Sequence, residues 1–381
     1  MNDATPRIAW RDAAGQEHAA RWLSESGAKA PARVQLADDT LPADTAYRLV
    51  CEGTALLWAG DYHNARQLLQ AMGRRFDRSR AKRKAPADPA EAFNLYRMTQ
   101  AQRARTLGLL LIPLQPGWQV PLGRAPDVAA ACTEAWGALD EPAALSLREL
   151  QGALGAYQWQ LNGVEVPALG ERIHARYGVF SPVRGEYVDL VAQAPLPAGA
   201  RRAFDLGTGT GVLAAVLARR GVAQVVATDN APRALRCAQD NLARLGLSER
   251  VEVQDADLYP AGRADVVVCN PPWLPAKAGS SLDRAVYDPD GAMLKGFLAG
   301  LAAHLEAGGE GWLILSDLAE RLGLRAPGEL EAAFVAAGLR VLGRLDARPR
   351  HGRASDADDP LHAARKDEVT TLWRLAAVTS L

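Results

Sequence analysis

Phe204-Asp205-Leu206-Gly207-Thr208-Gly209-Thr210-Gly211 joins a short apolar run to a segment of helical periodicity. It reads as the turn from a buried strand over 203–206 into a helix over 211–220. Glycines at such a turn let the chain bend sharply and let its backbone approach a ligand closely. Gly209-Thr210-Gly211-Val212-Leu213-Ala214 also satisfies the dinucleotide pattern G-x-G-x-x-G/A, whereas the Lys-Ser/Thr pair of a P-loop is missing. On its own the stretch is compatible with several nucleoside ligands, or with a glycine-rich turn that binds nothing.

Downstream, short apolar runs at 224–229, 251–254, 265–269 and 312–315 alternate with helical patterns at 232–245, 292–305 and 327–338. That rhythm implies a mostly parallel sheet with helices on both faces. Two last runs, 341–345 and 369–373, are separated by a long polar loop without a convincing helix, which fits an antiparallel pair closing the sheet.

Upstream the rhythm is absent. Residues 46–75 read as helical, with Leu49, Leu56, Leu57, Leu68, Leu69 and Met72 as apolar positions and a break at Gly60-Asp61. A basic run follows, from Arg74 to Lys84. Then come a helix over 91–107, a strand over 109–114, a short helix over 146–155, and one or two strands between Trp159 and Phe180. The 381 residues therefore divide into an α+β substrate-recognition domain, 1–170, and a catalytic domain, 171–381.

The formal net charge is zero, so any attraction to nucleic acid would have to come from a local patch such as the 74–84 run. A solvated charge run is the plain alternative for that stretch. The four cysteines and six histidines show neither a C-x-x-C pair nor metal-ligand spacing, so no metal is expected. No apolar run approaches the roughly 18–20 residues that span a bilayer, and residues 1–12 lack a signal-peptide core. A cytoplasmic protein without membrane attachment is expected.

Two further motifs narrow the chemistry. Asp229 ends the strand 224–229, about 20 positions after the glycine turn, where an acid can accept hydrogen bonds from both hydroxyls of a ribose. It can also cap the helix that begins at Ala231-Pro232. Asn270-Pro271-Pro272-Trp273 follows the strand 265–269 and should project from the carboxyl edge of the sheet. Consecutive prolines hold a loop extended and stiff. The Asn270 amide oxygen and the Pro271 carbonyl can then accept both protons of one planar NH2 group. Trp273 offers a face for a flat substrate. Gripping both protons favours pyramidalisation and frees a lone pair that is otherwise delocalised.

With these motifs in hand, residues 175–378 resemble the class I S-adenosylmethionine-dependent N-methyltransferases. The sets they are most similar to are the release-factor glutamine methyltransferases and the ribosomal RNA guanine-N2 methyltransferases. The resemblance rests on the glycine turn, Asp229, Asp257-Leu258-Tyr259-Pro260 and Asn270-Pro271-Pro272-Trp273. It implies a Rossmann-like sheet, mostly parallel with an antiparallel last strand, and S-adenosyl-L-methionine as cofactor. It further implies that Asp205, Gly207, Thr208, Gly209, Thr210 and Gly211 wrap the methionine and ribose, that Asp229 holds the ribose, and that Asp257 and Leu258 contact adenine. Asn270 would orient the target amine and also contact the cofactor.

Gly178-Val179-Phe180-Ser181 resembles a segment of the guanine enzymes, and Val183-Arg184-Gly185-Glu186 one of the glutamine enzymes, which makes Phe180 and Arg184 candidate substrate contacts. Leu274-Pro275 after Trp273 is nearer the glutamine enzymes.

The reaction expected is in-line attack of a nitrogen on the sulfonium methyl, with catalysis mainly by positioning. The basic run and separate N-terminal domain favour a nucleobase amine in RNA. A glutamine amide of a translation-associated protein is the alternative. A nicotinamide-dependent oxidoreductase would leave the Asn-Pro-Pro-Trp loop unexplained, and a silent nucleic-acid-binding module has no chemical need for both Asp229 and Asn270. Cys269 reads as a buried strand residue.

Overall fold

The computed structural model describes residues 5–80, 86–277, 282–349 and 359–378. Contacts divide the chain into two units, one of Met1–Pro86 with Asn94–Gln158, the other of Ala87–Phe93 with Trp159–Leu381. Residues 159–170, placed with the N-terminal domain by sequence, thus belong to the second unit.

From the N-terminus the described chain runs β1 (Arg7–Arg11), β2 (Glu17–Leu23), β3 (Val34–Ala37), α1 (Ala43–Cys51), β4 (Ala55–Trp58), α2 (Tyr62–Arg80) and α3 (Pro89–Leu107). It continues through β5 (Leu110–Leu114), α4 (Ala129–Trp136), β6 (Ala143–Ser146) and α5 (Leu147–Asn162). The six strands form a mixed sheet ordered β1-β2-β6-β5-β4-β3.

Three sequence readings are corrected here. The 46–75 segment is not one broken helix but α1, β4 and α2. Ala55, Leu56, Leu57 and Trp58 are all buried, with β4 paired on both sides by β3 and β5. A strand covered on both faces is a continuous apolar run, which periodicity does not separate from a piece of helix. The strand–helix rhythm is also present, since β3, β4 and β5 pair in parallel and are joined through helices. Trp159, expected in a strand, lies in α5.

The basic run lies at the end of α2 as far as Arg80, and residues 81–84 fall outside the described ones. Within it Arg75 pairs with Asp44, Asp77 takes Arg103, and Phe76 is buried.

The second unit begins with the hairpin β7 (Val164–Val166) and β8 (Glu171–Ile173), then α6 (Glu186–Gln193), β9 (Arg202–Leu206), α7 (Val212–Arg219), β10 (Gln224–Asp229) and α8 (Pro232–Arg244). There follow β11 (Val251–Asp255), β12 (Ala264–Cys269), α9 (Ala292–His304), β13 (Leu305–Ser316), α10 (Leu318–Arg321), α11 (Glu329–Ala336), β14 (Leu339–Ala347), α12 (His362–Arg365) and β15 (Thr370–Ala377). The sheet order is β11-β10-β9-β12-β13-β15-β14. Strands β9 to β13 are parallel, and β15 pairs antiparallel with both β13 and β14. This is the Rossmann-like sheet expected. The 4-residue α12 lies in the loop where no helix was expected, and residues 350–358 of that loop lie outside the described ones.

Alternation along β12 shows how the sheet is covered. Val266 and Val268 join a core with α6, α7 and α8, whereas Val267 and Cys269 join one with α9 and α11. Strand order reverses direction between β9 and β12, which is where open α/β sheets bind ligands at their carboxyl edge. Among the described residues no helix is long and apolar enough to cross a membrane.

Candidate active site

Because β9, β10, β11 and β12 run parallel, their carboxyl ends share one edge. That edge gathers the glycine turn after β9, Asp229 as the last residue of β10, Asp257-Leu258 after β11, and Asn270 directly after β12.

The turn needs its glycines. Gly207, Gly209 and Gly211 have φ of 69°, 56° and 81°, a region L side chains rarely adopt. A Cβ at Gly207 would come within 2.5 Å of Met293 Cε, whereas one at Gly209 would meet nothing within 4 Å. The backbone at Gly209 therefore borders open space.

Asp205 is buried beneath the turn, where its Oδ2 accepts hydrogen bonds from Thr208 Oγ1 at 2.6 Å and from the Ala214 N–H at 3.0 Å. Burial, and secondarily the Asp229 charge, push its carboxyl up to about 6 against those two hydrogen bonds. A carboxyl raised in the folded state binds more protons there than in the unfolded chain. Its contribution to stability therefore falls as pH rises from about 4 to about 6, then stays level. Asp205→Asn should be increasingly favoured over wild type across that window, by on the order of 3 kcal/mol at its plateau above pH 6. Urea titrations of both proteins at several pH values check this, and a pH-independent difference would contradict it.

Asp229 accepts the N–H of Ala231, the N-cap residue of α8, at 3.0 Å in the turn that leads into the helix, which itself has no side-chain cap, and it steadies the glycine turn by accepting the Gly209 N–H at 3.0 Å. These occupy one site on each carboxylate oxygen and leave lone pairs for further donors. Leu258 has φ of 69°, an uncommon backbone state for a bulky residue, and its carbonyl is held by Thr228 Oγ1 at 2.6 Å. Asp257 beside it is exposed.

Asn270 and Trp273 are joined directly, the indole Nε1–H donating to Asn270 Oδ1 at 2.9 Å. An amide oxygen has two lone pairs, so one acceptor site remains. Pro271 is buried and Pro272 half-buried. Backbone bonds fix the loop downstream, with Leu274 N–H to the Val286 carbonyl at 3.1 Å and Asp288 N–H to the Leu274 carbonyl at 2.9 Å. Cys269 is fully buried, and burial drives its thiol well above the ordinary range, away from nucleophilic use.

Arg184 is brought to the loop, its guanidinium 5.2 Å from the Trp273 ring centroid. One approach to that ring, expected to receive a flat substrate, is thus covered by a cation. Phe180 is half-buried, and no hydrogen bond or ring contact among the described residues joins it to the loop. Among the described residues, no cluster of three or more His, Cys, Asp or Glu is placed to hold a metal.

Sequence reading missed Asn241 of α8. Its amide is buried, accepts the His174 N–H at 2.9 Å and donates to the His174 and Thr210 carbonyls at 3.1 and 3.0 Å. The signal was available, because Ala234, Cys237, Ala238 and Asn241 lie at helical spacing on the buried stripe.

Residues 171–325 match the model of the methyltransferase small domain. The chain is 36% identical over 161 residues to a release factor glutamine methyltransferase of Cereibacter sphaeroides, covering 39% of this chain and 56% of that protein. It is 34% identical over 173 residues to a ribosomal protein uL3 glutamine methyltransferase of Bordetella pertussis, covering 43% and 52%. To a release factor glutamine methyltransferase of Xylella fastidiosa it is 33% identical over 232 residues, covering 56% and 78%. The chain thus spans just over half the length of the first two of these relatives.

Proposed function

The chain belongs to the class I S-adenosylmethionine-dependent N-methyltransferases, in the family of the release factor glutamine methyltransferases, and we propose that it methylates the side-chain amide of a glutamine in a translation-associated protein. Transfer to a planar NH2 group is carried by the Asn270 amide oxygen, held by Trp273 at the same strand edge as the glycine turn and Asp229, and the choice of a glutamine amide is supported by the relatives named for it.

S-adenosylmethionine, when bound, supplies a methyl group on a cationic sulfur. The residues present suit that group: the open face at Gly209 admits its backbone-facing side, and Asp229 keeps lone pairs for two ribose hydroxyls. Asp205, Gly207, Thr208, Thr210 and Gly211 shape the cradle, and the strained backbone at Leu258, with Asp257, borders the adenine side. The free lone pair of Asn270 Oδ1 and the Pro271 carbonyl take the two protons of the target NH2. That grip favours a pyramidal nitrogen with its lone pair turned toward the methyl, and the site excludes competing geometries by positioning alone.

Sequence alone favoured a nucleobase amine in RNA. The relatives named for glutamine methylation support the other substrate, and the basic run gives less support to RNA once Arg75 is seen paired with Asp44. A nucleobase amine is the second reading, resting on the remaining basic residues at the end of α2.

Incubation with methyl-labelled S-adenosylmethionine and three separate probes, a release factor, ribosomal protein uL3 and ribosomal RNA, tests the order. Label in a protein supports the proposal; label in RNA alone reverses it. Asp229→Ala should weaken S-adenosylmethionine binding by ~1.5–3 kcal/mol in calorimetry, because a charge-assisted acceptor is removed. Unchanged affinity, or tighter binding of NAD than of S-adenosylmethionine by the wild type, would refute the assignment of the cofactor site.

A further inference from the structure

We infer that Trp273 is a positioning residue that sets which way the Asn270 amide faces, and that Arg184, clamped between Glu186 and Glu368, holds the indole in place. This rests on the reading of Asn270 as the clamp for the target amide.

An asparagine side chain turns easily about its last torsion, which has a broad, roughly two-fold preference. Flipped, Asn270 would present its own NH2 donors to the NH2 of the substrate, and the acceptor would be lost. The loop therefore needs something to fix the flip. An indole N–H can only donate, so its 2.9 Å contact holds the oxygen on the Trp273 side.

The indole is itself held. Trp273 packs against both apolar cores of the unit, and the Arg184 guanidinium lies 5.2 Å over its ring. Arg184 Nε donates to Glu186 Oε1 at 3.3 Å and Nη2 to Glu368 Oε2 at 3.2 Å. Both carboxylates are buried, at 4% and 1% exposure, and Ser316 Oγ donates to Glu368 Oε1 at 2.7 Å. The chain of contacts thus runs from β13 through Glu368, Arg184 and Trp273 to Asn270.

Trp273→Phe keeps an aromatic ring for Arg184 and removes the N–H. Its single-turnover methylation of release factor should fall about tenfold, with S-adenosylmethionine affinity unchanged. In an Asn270→Asp background, where either carboxylate oxygen accepts, the same substitution should cost about twofold or less. A merely structural role for Trp273 would give equal losses in both backgrounds, which would overturn the proposal.

A second readout needs no substrate. In protein carrying 15N-tryptophan, the Trp273 indole N–H resonance, assigned by its loss in Trp273→Phe, should move upfield in Asn270→Ala as the hydrogen bond disappears. An unmoved resonance would also overturn the proposal. Absence of transfer to either release factor or uL3 by the wild type would instead sink the functional reading, leaving the resonance to decide this one.

Discussion

Asn270→Ala is expected to lose on the order of 10²–10³ in turnover while keeping most of its affinity for S-adenosylmethionine. The amide oxygen acts on the nitrogen as it pyramidalises, and an interaction that strengthens toward the transition state alters the rate more than ground-state binding. The cofactor contacts proposed for Gly207, Gly209 and Asp229 lie on other strand ends and are left intact. Alanine also removes the acceptor of the Trp273 N–H, so part of the loss reflects a loosened indole. Single-turnover rates at saturating cofactor check the effect. Full activity would show that this loop is not the clamp.

Asn241→Leu, with the same number of side-chain heavy atoms but bulkier, should destabilise the second unit by about 3–5 kcal/mol. It removes three hydrogen bonds to backbone groups and a longer one to Cys237 Sγ, and strands the His174 N–H and the His174 and Thr210 carbonyls beside an apolar side chain. The Thr210 carbonyl belongs to the glycine turn, so S-adenosylmethionine should also bind more weakly to the folded variant. Urea unfolding with and without the cofactor measures both effects. A change below about 1 kcal/mol would mean that solvent reaches these groups.

The legible part of the chain was the part where local signals agree with one another. Strand β10 begins and ends where its apolar run does, and the glycine turn shows positive φ at all three glycines. The residues alone place Asp229 and Asn270 at one edge, because parallel strands ending in polar residues leave no other arrangement. Strand β4 was not legible, because four buried residues carry no period of either kind.

The support behind the site was hidden for a different reason. Glu186 and Glu368 are 182 residues apart and meet only through Arg184, and Asn241 meets His174 across 67 residues. The burial of Asn241 was legible from the helical spacing of its stripe, but no local pattern names the distant partner of such a contact. The Trp273–Asn270 bond was only three residues away, yet the sequence reading assigned the indole to stacking, since a ring's face draws attention before its single N–H.

The fate of the transferred methyl distinguishes a side-chain amide, as of glutamine, from every other acceptor. A glutamine amide methylated on nitrogen releases methylamine when the amide is hydrolysed in strong acid. After transfer from methyl-labelled S-adenosylmethionine to release factor or uL3, acid hydrolysis should free the label as volatile methylamine, and Asn270→Ala should yield almost none. Label retained in a non-volatile amino acid, or found only in RNA bases, would contradict the account.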